Sequence, residues 1–275
     1  IVGEWMPLTV FSNQDGRFVN TTQDLGLADT EGWWWSLTQA DLDSDGDMDL
    51  LCGNLGSNSK FQGTKEHPIH LYWNDFDGNG SGDIVLAKED HGELVPVRGR
   101  ECSSQQCPMI LDRFPTYDAF AHAALNDIYG VEGLAQALHL KATFMKSCVL
   151  WNEGDGELTL QELPVLAQIA PVNGFAVADW NEDGHPDVFL AGNHWGAEVE
   201  TVRYDAGLGL LLLGDGKHGF QVIDAPWSGI RARGNVKDVA ALPLADGRGT
   251  AVVIANNNGP LQLFVPSSTS WKAAR

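Results

Sequence analysis

Asp41-Leu42-Asp43-Ser44-Asp45-Gly46-Asp47-Met48-Asp49, running directly into Leu50-Leu51-Cys52, decides how the chain is read. Carboxylates fall at loop positions 1, 3, 5 and 9, with glycine at position 6. Strung along an extended chain they would only repel one another. On a loop that turns at Gly46, alternate side chains converge on one point. Hard oxygens converging at this spacing suit Ca²⁺, which takes about six to eight oxygen ligands in irregular geometry. Asp47, at position 7, would add its backbone carbonyl.

The loop recurs twice. Asp75, Asp77, Asn79 and Asp83 repeat positions 1, 3, 5 and 9, with Gly80 at position 6 and Ser81 at position 7. Asp179, Asn181, Asp183 and Asp187 repeat them again, with Gly184 at position 6 and His185 at position 7. About three Ca²⁺ sites are expected. An EF-hand shares the first six positions but needs a bidentate Glu at position 12 and a helix on either side. Position 12 here is Cys52, Leu86 and Leu190. Each loop leads into a short apolar run (Leu-Leu-Cys, Ile-Val-Leu, Val-Phe-Leu) that reads as a buried strand. The loops therefore join strands.

Asp-Gly hairpins keep step with these loops. Asn13-Gln14-Asp15-Gly16, the turn at residues 152–156 and Gly214-Asp215-Gly216 each lie between two β-type runs. The unit is strand, acidic loop, strand, connection, strand, hairpin, strand. One four-stranded antiparallel sheet cannot bury both faces alone, so repeated units stack. The expected fold is all-β: a β-propeller of four or five four-stranded blades, forming one domain over residues 1–275. Blades are expected over residues 33–87, 93–163 and 172–223, with a last one from residue 234. Its 1–2 loop, Asp246-Gly247-Arg248-Gly249-Thr250, keeps the turn but has lost the acidic pattern. The N-terminal hairpin either completes that last blade by ring closure or belongs to a blade whose start is missing.

The pattern breaks over residues 98–146, which read as a helical insertion. Thr116 is the expected N-cap, with Phe120, Ala124 and Ile128 on one face. Residues 131–143 are expected to form a second helix. Such an insertion either caps a blade edge or offers a surface to a partner.

The D-x-[DN]-x-[DN]-G-x-x-D loops ahead of apolar strands resemble the FG-GAP or VCBS repeats of integrin α-subunit propellers and of many bacterial surface proteins. Residues 97–106, Phe114-Pro115-Thr116-Tyr117 and residues 203–207 are similar to a narrower group, bacterial relatives of cartilage acidic protein that often carry an ASPIC/UnbV domain. No such domain is recognisable after the last strand. The resemblance implies a Ca²⁺-stabilised, exported propeller and no defined activity.

A net charge of −20 disfavours nucleic acid and anionic membrane surfaces as partners. Twelve of the 37 acidic residues lie in the three loops, so three Ca²⁺ would bring the net charge from −20 to about −14. No stretch reaches the roughly 18 apolar residues of a membrane span. Open Ca²⁺ loops fill most readily where free Ca²⁺ is millimolar, so the expected location is secreted or cell-surface, on a bacterial outer surface or in the periplasm. Cys102 and Cys107 flank a short polar loop and could pair there, whereas Cys52 and Cys148 read as buried thiols.

No G-x-S-x-G, phosphate loop or H-E-x-x-H is present, and carboxylates engaged with Ca²⁺ are poor general acids. No catalytic residue is assigned. The leading expectation is a non-enzymatic adhesion or assembly module that binds protein or glycan. His194, Trp195, Arg203 and Tyr204 are its candidate ligand-binding residues. Trp33-Trp34-Trp35 reads either as alternating interface packing or as a sugar platform. One alternative is a polysaccharide lyase-like enzyme using Arg203, Tyr204 and His194. The other is a subunit of a larger surface assembly.

Overall fold

The acidic loops join adjacent strands of a repeated antiparallel sheet, and the sheets stack face to face. The structure is a computed structural model and describes residues 1–266. The chain opens with β1 (Glu4–Met6), a hairpin of β2 (Phe11–Gln14) and β3 (Arg17–Asn20), and β4 (Gly32–Trp33), which pairs with β1. Next, β5 (Ser36–Ala40) and β6 (Asp49–Gly53) flank the first acidic loop. The second lies between β7 (Ile69–Asn74) and β8 (Asp83–Asp90), followed by β9 (Glu93–Pro96). Five short helices come next: α1 (Arg100–Gln106), α2 (Met109–Arg113), α3 (Tyr117–Ala121), α4 (Leu125–Tyr129) and α5 (Val131–Gln136). They lead into β10 (Leu138–Ala142), β11 (Cys148–Asn152) and β12 (Leu158–Glu162). The third loop lies between β13 (Gly174–Ala178) and β14 (Asp187–Ala191), followed by β15 (Leu210–Gly214), β16 (Phe220–Ile223) and a short α6 (Ala225–Ser228). The described part ends with β17 (Val236–Pro243), β18 (Thr250–Asn256) and β19 (Gln262–Phe264).

Three blades emerge from the pairing: β5-β6-β11-β12, β13-β14-β15-β16 and the three-stranded β17-β18-β19. The first strand of the middle blade, β13, packs between β5 and β17, the first strands of its neighbours. This is an all-β, propeller-like arrangement with a small helical insertion. Its packing explains the continuous apolar runs. In β14 and β15, Val188, Leu190, Leu210 and Leu212 face the first blade, where they meet Leu51, Val149 and Trp151. The alternate residues Phe189, Ala191, Leu211 and Leu213 face the third blade, against Val236, Val239, Val252 and Ile254. Successive side chains of a strand point to opposite faces, so a strand buried on both faces must be apolar throughout.

The blade boundaries differ from those expected. Residues 33–87 do not form a blade. Instead β6 pairs with β11 across 94 intervening residues, Cys52 opposite Cys148. Residues 54–147 are a module inserted between the second and third strands of the first blade. The module has its own sheet, in the order β10-β7-β8-β9, covered by the helices. Ile110, Phe120, Leu125, Ile128 and Leu134 pack there against Tyr72, Val85 and Ala87. The second acidic loop belongs to this sheet, and its copy of the motif imitates the next blade half. Residues 131–143 do not form one helix: α5 stops at Gln136 and β10 takes over. The stretch Leu138-His139-Leu140-Lys141-Ala142 alternates, and the open edge of β7 captures it as a strand. Thr116 does cap α3, its side chain accepting from the Ala119 amide at 3.1 Å.

The N-terminal hairpin does not join β17-β19 among the described residues; β2 and β3 pair with each other. Leu8, Val10, Leu25 and Leu27 beside it pack on the first blade, against Cys52, Cys148 and Leu150.

Where β10 meets β7, His70 Nδ1 lies 2.9 Å from His139 Nε2, and the His139 ring stacks on Tyr72 at 4.2 Å. Burial, reinforced by the neighbouring His139, depresses His70 to about 4. A histidine held below its unfolded value contributes stability that is present above about pH 6.5 and lost as the pH falls toward 4. The His70 ring resonances should stay unchanged between pH 8 and 5.5, and the thermal midpoint should fall as the pH drops from 6.5 toward 4. A His70 titration near 6.5, read by NMR, would contradict this packing.

Candidate functional site

All three loops share one backbone solution. Positions 4 and 6 take positive φ in each: Ser44 (65°) and Gly46 (102°), Gly78 (74°) and Gly80 (86°), Glu182 (59°) and Gly184 (92°). A Cβ at Gly46, Gly80 or Gly184 would meet nothing within 4 Å, so glycine is needed for its φ and not for space. Carboxylates and amides at positions 1, 3 and 5 then accept bonds from loop amides. Asp41 accepts from Gly46 N (3.2 Å), Asp43 from Asp45 N (3.3 Å) and Asp45 from Asp47 N (2.8 Å). In the second loop Asp75 accepts from Gly78, Asn79 and Gly80, Asp77 from Asn79, and Asn79 from Ser81. These are Asx turns, which side chains of this kind build locally.

Two clusters of three carboxylates result. Asp41, Asp43 and Asp49 offer ligand atoms within 4.8 Å of one another, and so do Asp75, Asp77 and Asp83. In the first, Asp41 Oδ1 is buried and has no hydrogen-bond partner. A desolvated, unpaired carboxylate oxygen beside two more carboxylates is costly unless a cation is present. These donor sets fit a hard divalent ion. The third loop is organised differently. Asp179 accepts from Asp183 N (3.1 Å) and Gly184 N (2.9 Å), and Asn181 Nδ2 donates to Asp183 Oδ2 (2.8 Å). No three-carboxylate cluster forms there among the described residues. His185, expected to offer only its carbonyl, has a buried, unpartnered Nδ1 and lies against Gly216 of the neighbouring hairpin.

The ninth-position carboxylates are buried: Asp49, Asp83 and Asp187 are 1 %, 2 % and 0 % exposed. They reach beyond the loop. Asp49 accepts from Leu42 N (2.9 Å) through one oxygen and from Asn152 N of β11 (2.9 Å) through the other. Asp187 does the same with Trp180 N (2.8 Å) and Gly214 N of β15 (3.1 Å). Each ties its loop to the third strand of the blade. Asp83 accepts from Phe76 N (2.9 Å) and contacts the Cys107 thiol of the helical part. Burial raises Asp49 above the ordinary carboxylate value and Asp187 to about 6, against the pull of their amide donors.

One contact at the first loop has no counterpart in the sequence reading. His218, on the second blade's β15–β16 turn, stacks on Trp151 at 4.1 Å and places Nε2 2.9 Å from Asp43 Oδ2. The phase of the Asp-Gly hairpins puts that turn at the loop end, but the blade it meets is not legible from the chain. The four cysteines are free thiols, Cys102 and Cys107 included.

The remaining predicted residues lie on the connection between β14 and β15. His194 and Tyr204 pair by two backbone hydrogen bonds (2.8 and 3.0 Å) and line a cleft that Trp33 and Trp35 also line. Trp195 and Arg203 are not part of its lining. Arg203 lies over the Trp195 ring at 4.9 Å and 3.4 Å from Asp205. Trp34 is core, 2 % exposed, stacked on Phe144 and bonded through Nε1 to Thr30 O.

Blades with acidic loops between their first two strands define a repeat protein of propeller-like build. Residues 1–52 match the family model of the FG-GAP-like repeat. That match runs from the N-terminal hairpin through the first acidic loop and ends one residue before the end of β6, where the inserted module begins. No curated protein matches the chain.

Replacing Asp187 by Ala should strand two buried amides, Trp180 N and Gly214 N. Losing charge-assisted bonds to both is expected to cost about 3 kcal/mol. Asp179→Ala, at an exposed position of the same loop, should cost far less. Urea unfolding of both variants without added metal checks the order; equal losses would refute the stapling role.

Proposed function

We propose that this chain is a calcium-binding, exported module whose acidic loops hold the blades in shape while another surface binds a protein or glycan. The observation that carries the calcium reading is the first loop, where three carboxylates converge and Asp41 Oδ1 is buried without a partner. Ca²⁺ would take Asp41, Asp43 and Asp49 there and Asp75, Asp77 and Asp83 in the second loop, with Asp45, Asn79 and the position-7 carbonyls of Asp47 and Ser81 within the same turns. The third loop, with Asn181 and His185, is the weaker candidate. The ion would supply charge neutralisation and favour the ionised carboxylates. The likeness to bacterial relatives of cartilage acidic protein and the millimolar Ca²⁺ such loops need support export. Among the described residues no helix is long and apolar enough to cross a membrane.

Binding is favoured over a lyase-type reaction by the state of the candidate residues. Arg203 is engaged with Asp205 and Trp195. Burial, with Glu198 nearby, pushes the Tyr204 phenol up to about 12, far from a useful acid or base at neutral pH.

A place in a larger assembly is the second reading. The N-terminal hairpin and the first blade border an apolar groove of about 600 Å³, with Phe18 74 % exposed. Contiguous apolar surface of this kind marks interaction sites.

Removing Ca²⁺ with excess chelator should lower the thermal midpoint by several degrees, and Asp43→Ala should lose the first loop's share of that calcium increment while the second loop keeps its own. A midpoint that ignores both Ca²⁺ and chelator would sink the calcium reading.

A further inference from the structure

Antiparallel pairing sets two ends on each blade. Ala40 pairs with Asp49 at the acidic-loop end of β5–β6, and Ser36 pairs with Gly53 at the other. In the second blade the matching pairs are Ala178 with Asp187 and Gly174 with Ala191. The approach to β5, the module after β6 and the connection after β14 therefore all emerge away from the acidic loops. They meet in one cleft of about 260 Å³. Trp5, Trp33, Trp35, Phe61, His194 and Tyr204 line it, contributed by four separate stretches of chain.

The rings are held against one another. Trp33 packs edge-on to Trp5 (5.1 Å) and to Phe61 (4.7 Å), and Trp35 lies 5.3 Å from His194. Trp35 Nε1 donates to Glu4 (2.9 Å), and Glu198 is tied down by Arg98 (3.0 Å) and Lys60 (3.3 Å). Amid this bonded wall, two polar atoms are buried without any partner: Trp33 Nε1 and the Tyr204 hydroxyl. Tyr204 is 9 % exposed. Native structures rarely leave such groups unpaired, and each exception calls for a reason.

The chemistry of the unpaired atoms selects the ligand. The indole N–H can only donate, so it asks for an acceptor, which a cation cannot offer. A purely apolar ligand would leave both atoms unpaired. An anion would face Glu4, the second carboxylate of the lining, Glu198, being already offset by Arg98 and Lys60. Burial holds His194 below the ordinary histidine value, so at neutral pH its ring is uncharged and carries one donor and one acceptor. An uncharged polyhydroxyl ring satisfies all of this, stacking its C–H face on indole and presenting hydroxyls that both donate and accept.

From these observations we infer that the cleft is a binding subsite for a neutral saccharide, with Trp35 as platform and Trp33 Nε1 and the Tyr204 hydroxyl as its hydrogen-bonding groups. Both atoms are closed to solvent in the free protein, so binding requires the Trp33 and Tyr204 rings to turn and uncover them. The inference rests on the binding-module reading above, and it names the ligand class and the place.

The test is a glycan array of neutral oligosaccharides built from glucose, galactose, mannose, xylose or N-acetylglucosamine. Any binder is then titrated calorimetrically and by tryptophan fluorescence, with oligogalacturonate and choline chloride as charged controls. The expected result is saturable binding of at least one neutral oligosaccharide with a change in indole emission. Tyr204→Phe should weaken it about tenfold, the loss of one hydrogen bond. Trp35→Ala should weaken it at least as much, and Arg203→Ala, outside the cleft, should leave it unchanged. Circular dichroism and the calcium-dependent thermal midpoint are measured on the same samples. No neutral binder, tighter binding of either charged control, or affinity indifferent to Tyr204→Phe and Trp35→Ala overturns the subsite. If the calcium increment persists in that case, the calcium reading stands and only the saccharide site falls.

Discussion

The buried carboxylate that ends each acidic loop is the constraint on which the rest depends. Asp49 and Asp187 each accept from their own loop through one oxygen, Asp49 from one amide and Asp187 from two, and from the third strand of the blade through the other. A single side chain thus closes the turn and fixes the strand two places along. Burial works against its charge, and the amide donors work for it. This separates two jobs within one motif. Positions 1, 3 and 5 shape the turn through local amide bonds and gather charge, while position 9 holds the sheet. The third loop has Asn181 at position 3, its amide donating to Asp183, yet keeps Asp187 completely buried.

Stacking depends on the strands so fixed. Phe189 and Leu190 are neighbours in sequence but belong to different blade interfaces. Each interface buries one alternate set of side chains, so a blade is stable only between neighbours. His218 and Trp151 extend this coupling to the loop level, since a turn of the second blade reaches Asp43 of the first. The long connections gather at the opposite end. There the inserted module, the approach to β5 and the β14–β15 connection enclose the aromatic cleft. The end carrying the acidic loops and the end carrying the aromatic cleft are thereby set apart by the length of the strands.

Much of this is legible in the sequence because its causes are local. The acidic loops need left-handed backbone at Gly46, Gly80 and Gly184, and carboxylates placed to cap the turn. Apolar runs after the first and third loops report strands buried on both faces, whereas after the second Ile84 is 45 % exposed. Thr116 announces a helix start by a bond to an amide three residues on. The differences between expectation and structure are non-local. The module's own acidic loop carries the same local signal as a blade's, so residues 33–87 read as one unit. Residues 138–142 fall within a predicted helix, and the edge of β7 claims them as a strand. Of the ligand candidates on the β14–β15 connection, His194 and Tyr204 reach the cleft, and Trp195 and Arg203 do not, because Arg203 is taken up by Trp195 and Asp205.

By itself the sequence determined the repeat, its loops, its all-β character and the groups able to hold a cation, since each depends on residues within about ten positions of one another. Only the tertiary structure decided which strands share a sheet, that β6 finds β11 beyond a 94-residue module, and that Trp33, Trp35, His194 and Tyr204 line one cleft. Those pairings are chosen by the burial of whole faces. Burial is a property of the assembled blades, and no short window of sequence contains it.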